Sequence, residues 1–204
     1  HIEKGLKLRW KGKHRPSGRT NYKSAEAYGE SIDNELRRMF SASPPQARWA
    51  APEDGVLYPT PVGAAVRPKD IEKAAETGKP VRARMTFSAD VVTNGLLDDW
   101  PFTFPRAIDI IAGMPKGAWI AKADISRYFN QLAIAKSDEH RYVIEWRCAP
   151  GPDGSVIFGP DLPLRKIVLT SIPFGLKLAP AFAGVVTAEI RRAMIAAGIP
   201  QKFV

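Results

Sequence analysis

Apolar positions recur with helical spacing between Ser24 and Phe40, where Ala25, Tyr28, Ile32, Leu36, Met39 and Phe40 fall on one face. That stripe predicts an amphipathic helix, with Ser24 placed to cap its N-terminus. Residues 70–77 predict a short helix closed by Gly78, and residues 179–197 a long one stopped by Gly198 and Pro200. Another short helix is expected over 105–112, with Pro105 in its first turn and Gly113 at its end. Over 81–87 the period changes to two: Val81, Ala83, Met85 and Phe87 alternate with Arg82, Arg84 and Thr86, as in a half-buried strand. Residues 118–125 read as a short apolar strand leading into a helical turn through Gln131. Residues 141–147 are expected to pair with 166–172 across a loop containing Gly151-Pro152-Asp153-Gly154. The class this predicts is α+β, a sheet with helices packed on one face.

Two stretches lack such a period. Residues 41–68 hold six prolines and read as an extended connector that docks, if at all, through Trp49, Leu57 and Tyr58. Residues 1–23 carry eight bases (Lys4, Lys7, Arg9, Lys11, Lys13, Arg15, Arg19 and Lys23) against the single acid Glu3. A segment rich in Gly, Pro, Ser and charge, and poor in aliphatics, is expected to order only on a partner or to stay solvated. Trp10 and Tyr22 are its candidates for stacking on bases or docking on protein. The expected organisation is a basic arm over 1–23, a helix and connector over 24–78, and a main domain over 79–204.

Composition changes this picture in one respect. The chain of 204 residues is 45% hydrophobic and carries a formal charge of +9, of which the arm supplies seven. The remainder is near neutral, so the polyanion-seeking character is concentrated rather than general. No run of about 18 apolar residues exists, which predicts no membrane insertion. The single Cys148 excludes an internal disulfide, fits a reducing compartment and reads as an inert, partly buried thiol. His140 has no second His or Cys at ligand spacing, and Trp100, Trp119 and Trp146 read as packing residues.

The segments with chemical content are Ala121-Lys122-Ala123-Asp124-Ile125-Ser126-Arg127-Tyr128-Phe129 and Ser171-Ile172-Pro173-Phe174-Gly175-Leu176-Lys177-Leu178-Ala179-Pro180. Taken singly, an aspartate after a strand is usually a turn residue and Pro-Phe-Gly usually a tight turn. In this order, with these elements between them, they resemble motifs A and B of a reverse transcriptase palm. Lys79, Arg82 and Arg84 resemble the basic fingers strand. Ser88 through Asn94-Gly95, Ile108-Asp109-Ile110-Ile111 and Phe129-Asn130-Gln131-Leu132 look most like the tyrosine-recombinase type of retroelement. The resemblance covers residues 79–204.

It implies a partial right-hand polymerase fold, fingers plus most of a palm. Asp124 would be a metal-ligating catalytic carboxylate, Phe129 the aromatic that excludes a 2'-hydroxyl, and Lys79, Arg82, Arg84, Phe174 and Gly175 nucleotide-binding residues. Nucleotidyl transfer in this family uses two Mg²⁺ ions held by clustered carboxylates. The family's second carboxylate motif is not found between motif B and Val204, Met85-Thr86-Phe87 stands where an acid is common, and Tyr128 stands where a small residue is usual. These departures imply a chain inactive as a polymerase by itself. The expected role is then a nucleic-acid-binding structural component, with RNA and at least one protein partner, in a ribonucleoprotein such as an organellar ribosome. In that case the location is the mitochondrion, otherwise the cytoplasm or nucleus. Two alternatives stand beside it. One is a fragment of an active enzyme, with its remaining aspartates beyond Val204 or on another chain. The other is a viral RNA polymerase, which Phe129 disfavours.

Overall fold

In the computed structural model the amphipathic stripe forms two helices, α1 (Lys23–Ala27) and α2 (Gly29–Ser41), broken at Tyr28. The model describes residues 5–13, 15–89, 94–103, 108, 112, 114, 116–117 and 124–199. The helix expected over 105–112 and the strand expected over 118–125 fall almost wholly outside them. Ser24 does not cap: its Oγ accepts the Ala64 N–H at 3.2 Å and ties α1 to the strand beside it. The buried face of α2 is the expected one, with Ile32, Leu36 and Met39 at 0–1% exposure.

The residues expected as a connector instead contribute two strands, β1 (Ala47–Trp49) and β2 (Val62–Val66). Helix α3 (Pro68–Thr77) follows and closes on Gly78, whose φ of 64° suits a residue without a Cβ. Strand β3 (Ala83–Phe87) pairs antiparallel with β2, Val62 opposite Phe87 and Val66 opposite Ala83. Strands β4 (Val143–Pro150) and β6 (Leu164–Leu169) pair antiparallel as expected, with Val143 opposite Val168. The intervening loop adds a short β5 (Val156–Phe158) against the end of β4. The four-stranded sheet runs β1-β6-β4-β5, and β2-β3 form a separate pair. Helix α4 (Ala179–Ala196) ends before Gly198. The class is mixed α+β with antiparallel sheets, α2 packing against β1, β3 and β5.

The chain divides into two compact units: His1–Asp98 with Phe129–Lys177, and Asp99–Tyr128 with Leu178–Val204. The first holds Val143, Val168 and Leu57 in one cluster with Ala50. Its Pro-rich stretch is pinned by charge as well as by apolar contact. Arg48 on β1 donates to Asp54 at 2.6 and 2.8 Å and to Glu139 at 2.9 Å. The guanidinium holds the Asp54 carboxyl down at about 2, well below its ordinary range. Cys148 is wholly buried and free; burial pushes its thiol up to about 11, so it is an inert packing residue. In the second unit, Tyr128 donates its hydroxyl to the Ala183 carbonyl at 2.9 Å, and Trp100 meets Phe182 edge-on at 5.4 Å.

Candidate nucleic-acid interface

The basic arm is not a free tail. From Leu6 to Lys11 it alternates: Leu6, Leu8 and Trp10 turn toward the first unit, while Lys7, Arg9 and Lys11 are exposed. Leu8 is buried at 6% exposure. Backbone bonds hold both ends of this ribbon. The Leu6 N–H donates to the Ala133 carbonyl at 2.8 Å and the Ala135 N–H to the Leu6 carbonyl at 3.0 Å. Farther along, the Lys11 N–H donates to the Leu96 carbonyl at 2.7 Å and the Asp98 N–H to the Arg9 carbonyl at 3.1 Å. Between them the buried carboxylate of Asp138 accepts the Leu8 N–H at 2.9 Å. The Arg141 guanidinium lies 4.3 Å from the centre of the Trp10 ring, and Trp10 packs in turn on Tyr142, 6.1 Å between ring centres. An extended chain has a side-chain period of two, so burying one set of residues necessarily presents the other. Here the presented set is cationic.

The ribbon borders the residues singled out by the motifs. Phe129 lies in a 3-10 turn, Tyr128–Gln131, which runs directly into the segment that pairs with Leu6. On its other side that segment pairs with the approach to the Pro-Phe-Gly turn: the Ile134 N–H donates to the Thr170 carbonyl and the Ile172 N–H to the Leu132 carbonyl, both at 2.9 Å. One hydrogen-bonded strip therefore links the ribbon, the segment following Phe129 and the segment preceding Phe174, with neighbouring chains about 4.8 Å apart. The Phe129 and Phe174 rings stand 6.2 Å apart, Phe129 half-buried and Phe174 half-exposed.

Gly175 has a φ of 114°, and a Cβ there would collide with the Phe87 carbonyl oxygen, so no other residue fits without displacing the strand end. The Phe87 N–H donates to the Phe174 carbonyl at 3.0 Å, docking the turn on the end of β3. Asn94 clasps the same turn, donating to the Gly175 carbonyl at 3.1 Å and accepting the Lys177 N–H at 2.9 Å. Phe87 also packs on Tyr142 at 6.2 Å, so β3 and the ribbon share one buried aromatic support.

Arg84 is exposed on β3, opposite Ala65; Arg82 is exposed just before it, and Lys79 is exposed after α3. Lys13, Arg15, Arg19 and Lys23 are exposed, and Lys4 lies outside the described residues. Asp124 is exposed and belongs to the second unit. Among the described residues no three His, Cys, Asp or Glu are grouped to hold a metal ion. Sequence reasoning missed Leu6, Leu8, Asp138 and Arg141, the residues that fix the ribbon. The one visible signal was the alternation of Leu6, Leu8 and Trp10 with Lys7, Arg9 and Lys11.

No protein-family model matches the chain, and no curated protein is significantly similar to it. Among the described residues no helix is long and apolar enough to cross a membrane.

Proposed function

We propose that this chain is a reverse-transcriptase-like domain that binds nucleic acid, single-stranded RNA first of all, as a structural component of a larger ribonucleoprotein. The observation that carries the reading is the strip joining the ordered basic ribbon to the segments beside Phe129 and Phe174. Lys7, Arg9 and Lys11 supply a row of cations for the phosphates, Lys11 while standing 3.9 Å from the Asp98 carboxylate, with Arg84 on β3 as a further one. Phosphate contacts give affinity without sequence preference and make it depend on salt. The half-exposed Phe174 ring offers a face on which a splayed base can stack, a contact worth about 1–3 kcal/mol per base. Gly175 and Asn94 fix the backbone of the turn that carries this ring, so the turn itself need not be ordered when a base meets it.

A protein partner belongs to the same reading. Val185, Ile190 and Met194 of α4 are exposed apolar side chains, each at about 40%. The second reading, a fragment of an active polymerase, draws support from the Phe129–Phe174 pair: the resemblance assigns nucleotide contacts to both residues, and their rings lie 6.2 Å apart. The experiment that tests the proposal is fluorescence anisotropy with a labelled single-stranded RNA on wild type and Phe174→Ala. Binding that weakens about tenfold in the variant supports it, and binding unaffected by the substitution overturns the stacking role. Primer extension with Mg²⁺ and deoxynucleotides, abolished by Asp124→Asn, would establish the second reading instead.

A further inference from the structure

The first unit also contains a cavity of about 550 Å³ that nucleic-acid binding does not use. That volume is in the range of a small-molecule site. One wall is the α1–α2 turn, and the others come from the segments around Asn21, Thr60, the middle of β4 and Pro160. Four carboxylates line it, Glu26, Glu30 and Asp33 from the helices and Glu145 from β4, against the two guanidiniums of Arg19 and Arg147. In a chain of net charge +9 this is a local reversal of sign.

The cavity is built rather than incidental. The Trp146 indole N–H donates to Asp33 at 2.6 Å, locking the ring and the carboxylate together across the space between α2 and β4. Asn21 donates to the Glu145 carbonyl at 2.9 Å and accepts the Val62 N–H at 2.9 Å, fixing a second wall. Thr60 lines the cavity at 1% exposure, and its hydroxyl, buried, meets no partner. A buried hydroxyl without a partner is uncommon and calls for a polar group to complete it. Burial raises the Asp33 carboxyl, and the neighbouring Glu30 carboxylate adds to this, while the indole hydrogen bond and the charge of Arg37 act against it.

With four carboxylates against two guanidiniums, the sign of the lining favours a cationic ligand over a phosphate. No three of the carboxylates, among the described residues, are grouped to chelate a metal ion. Carboxylates on two walls, three from the helices and one from β4, match a ligand with more than one positive charge along an apolar chain. Trp146 supplies a face for the chain, and the carboxylates supply partners for its ends.

We infer that this cavity binds an extended organic cation, with ammonium or guanidinium groups joined by methylene chain, presented either as a free oligoamine or as the side chains of a basic peptide. The test is isothermal titration calorimetry on the full, nucleic-acid-free chain, with spermidine in one arm and tri-lysine in the other. Trp146 fluorescence is followed in parallel, and inorganic phosphate serves as the probe of opposite sign. The expected result is saturable binding of one equivalent in at least one arm, quenched at Trp146. It should weaken about fivefold to tenfold in Glu30→Gln and again in Glu145→Gln, both at partly or fully exposed positions that leave the core intact. The arm that saturates identifies the source. Non-saturable binding in both arms, affinity unchanged in both variants, or a Trp146 response to phosphate instead, would each overturn the inference.

Discussion

The N-terminal ribbon and helix α4 are both extreme in composition, one basic and one apolar, and they behave in opposite ways. The ribbon is stitched into the first unit by backbone bonds at both ends and by the burial of Leu8. Helix α4 buries Ala179, Ala181, Phe182 and Ala183 in its first turns, while Val185, Ile190 and Met194 farther along are exposed. Periodicity accounts for the ribbon, where three inward side chains suffice once the backbone finds partners. Composition misleads for both, because it averages over faces that experience different surroundings.

The largest expected effect breaks the comparison at its apolar anchor. Leu8→Ala should destabilise the chain by about 2–4 kcal/mol and lower the Tm by roughly 5–15 °C, measured by circular dichroism. A solvated tail would show no change. Trp10→Ala removes both the Tyr142 packing and the seat of Arg141, and should cost about 2 kcal/mol in the same assay. A smaller, acid-specific effect comes from Asp54. Its folded carboxyl titrates at about 2 against an ordinary 3.8, so the stability it contributes is full above about pH 4 and lost as pH falls toward 2. Asp54→Asn should flatten that part of the pH–stability curve while lowering stability at neutral pH. Smallest of all, Ile190→Gln on α4 should shift stability by less than about 0.5 kcal/mol, because an exposed side chain leaves little behind when replaced. A large loss there would mean that α4 is anchored as the ribbon is.

How much was legible follows the same division. The buried face of α2, the Gly78 stop and the β4–β6 pairing were all readable, since each rests on a local period or a single backbone-specific residue. Strands β1 and β2 were not: three and five residues long among prolines, they exist because β6 and β3 give them partners far away in the chain. The break at Tyr28 and the diversion of Ser24 to Ala64 were equally invisible, being settled by a neighbouring strand. At the candidate interface, the Phe129–Phe174 contact and the packing of Gly175 on the Phe87 carbonyl are tertiary facts that neither motif announces. The ribbon's place beside them depends on partners near positions 97 and 134, which no local pattern announces.

The most direct test of the nucleic-acid reading is the salt dependence of single-stranded RNA affinity in wild type and in a Lys7→Gln, Arg9→Gln, Lys11→Gln variant with unchanged Tm. Three lost phosphate contacts should weaken binding by at least tenfold near physiological salt and reduce the slope of log K against log salt by about 2. Equal affinity and equal slope in the two proteins would contradict the account.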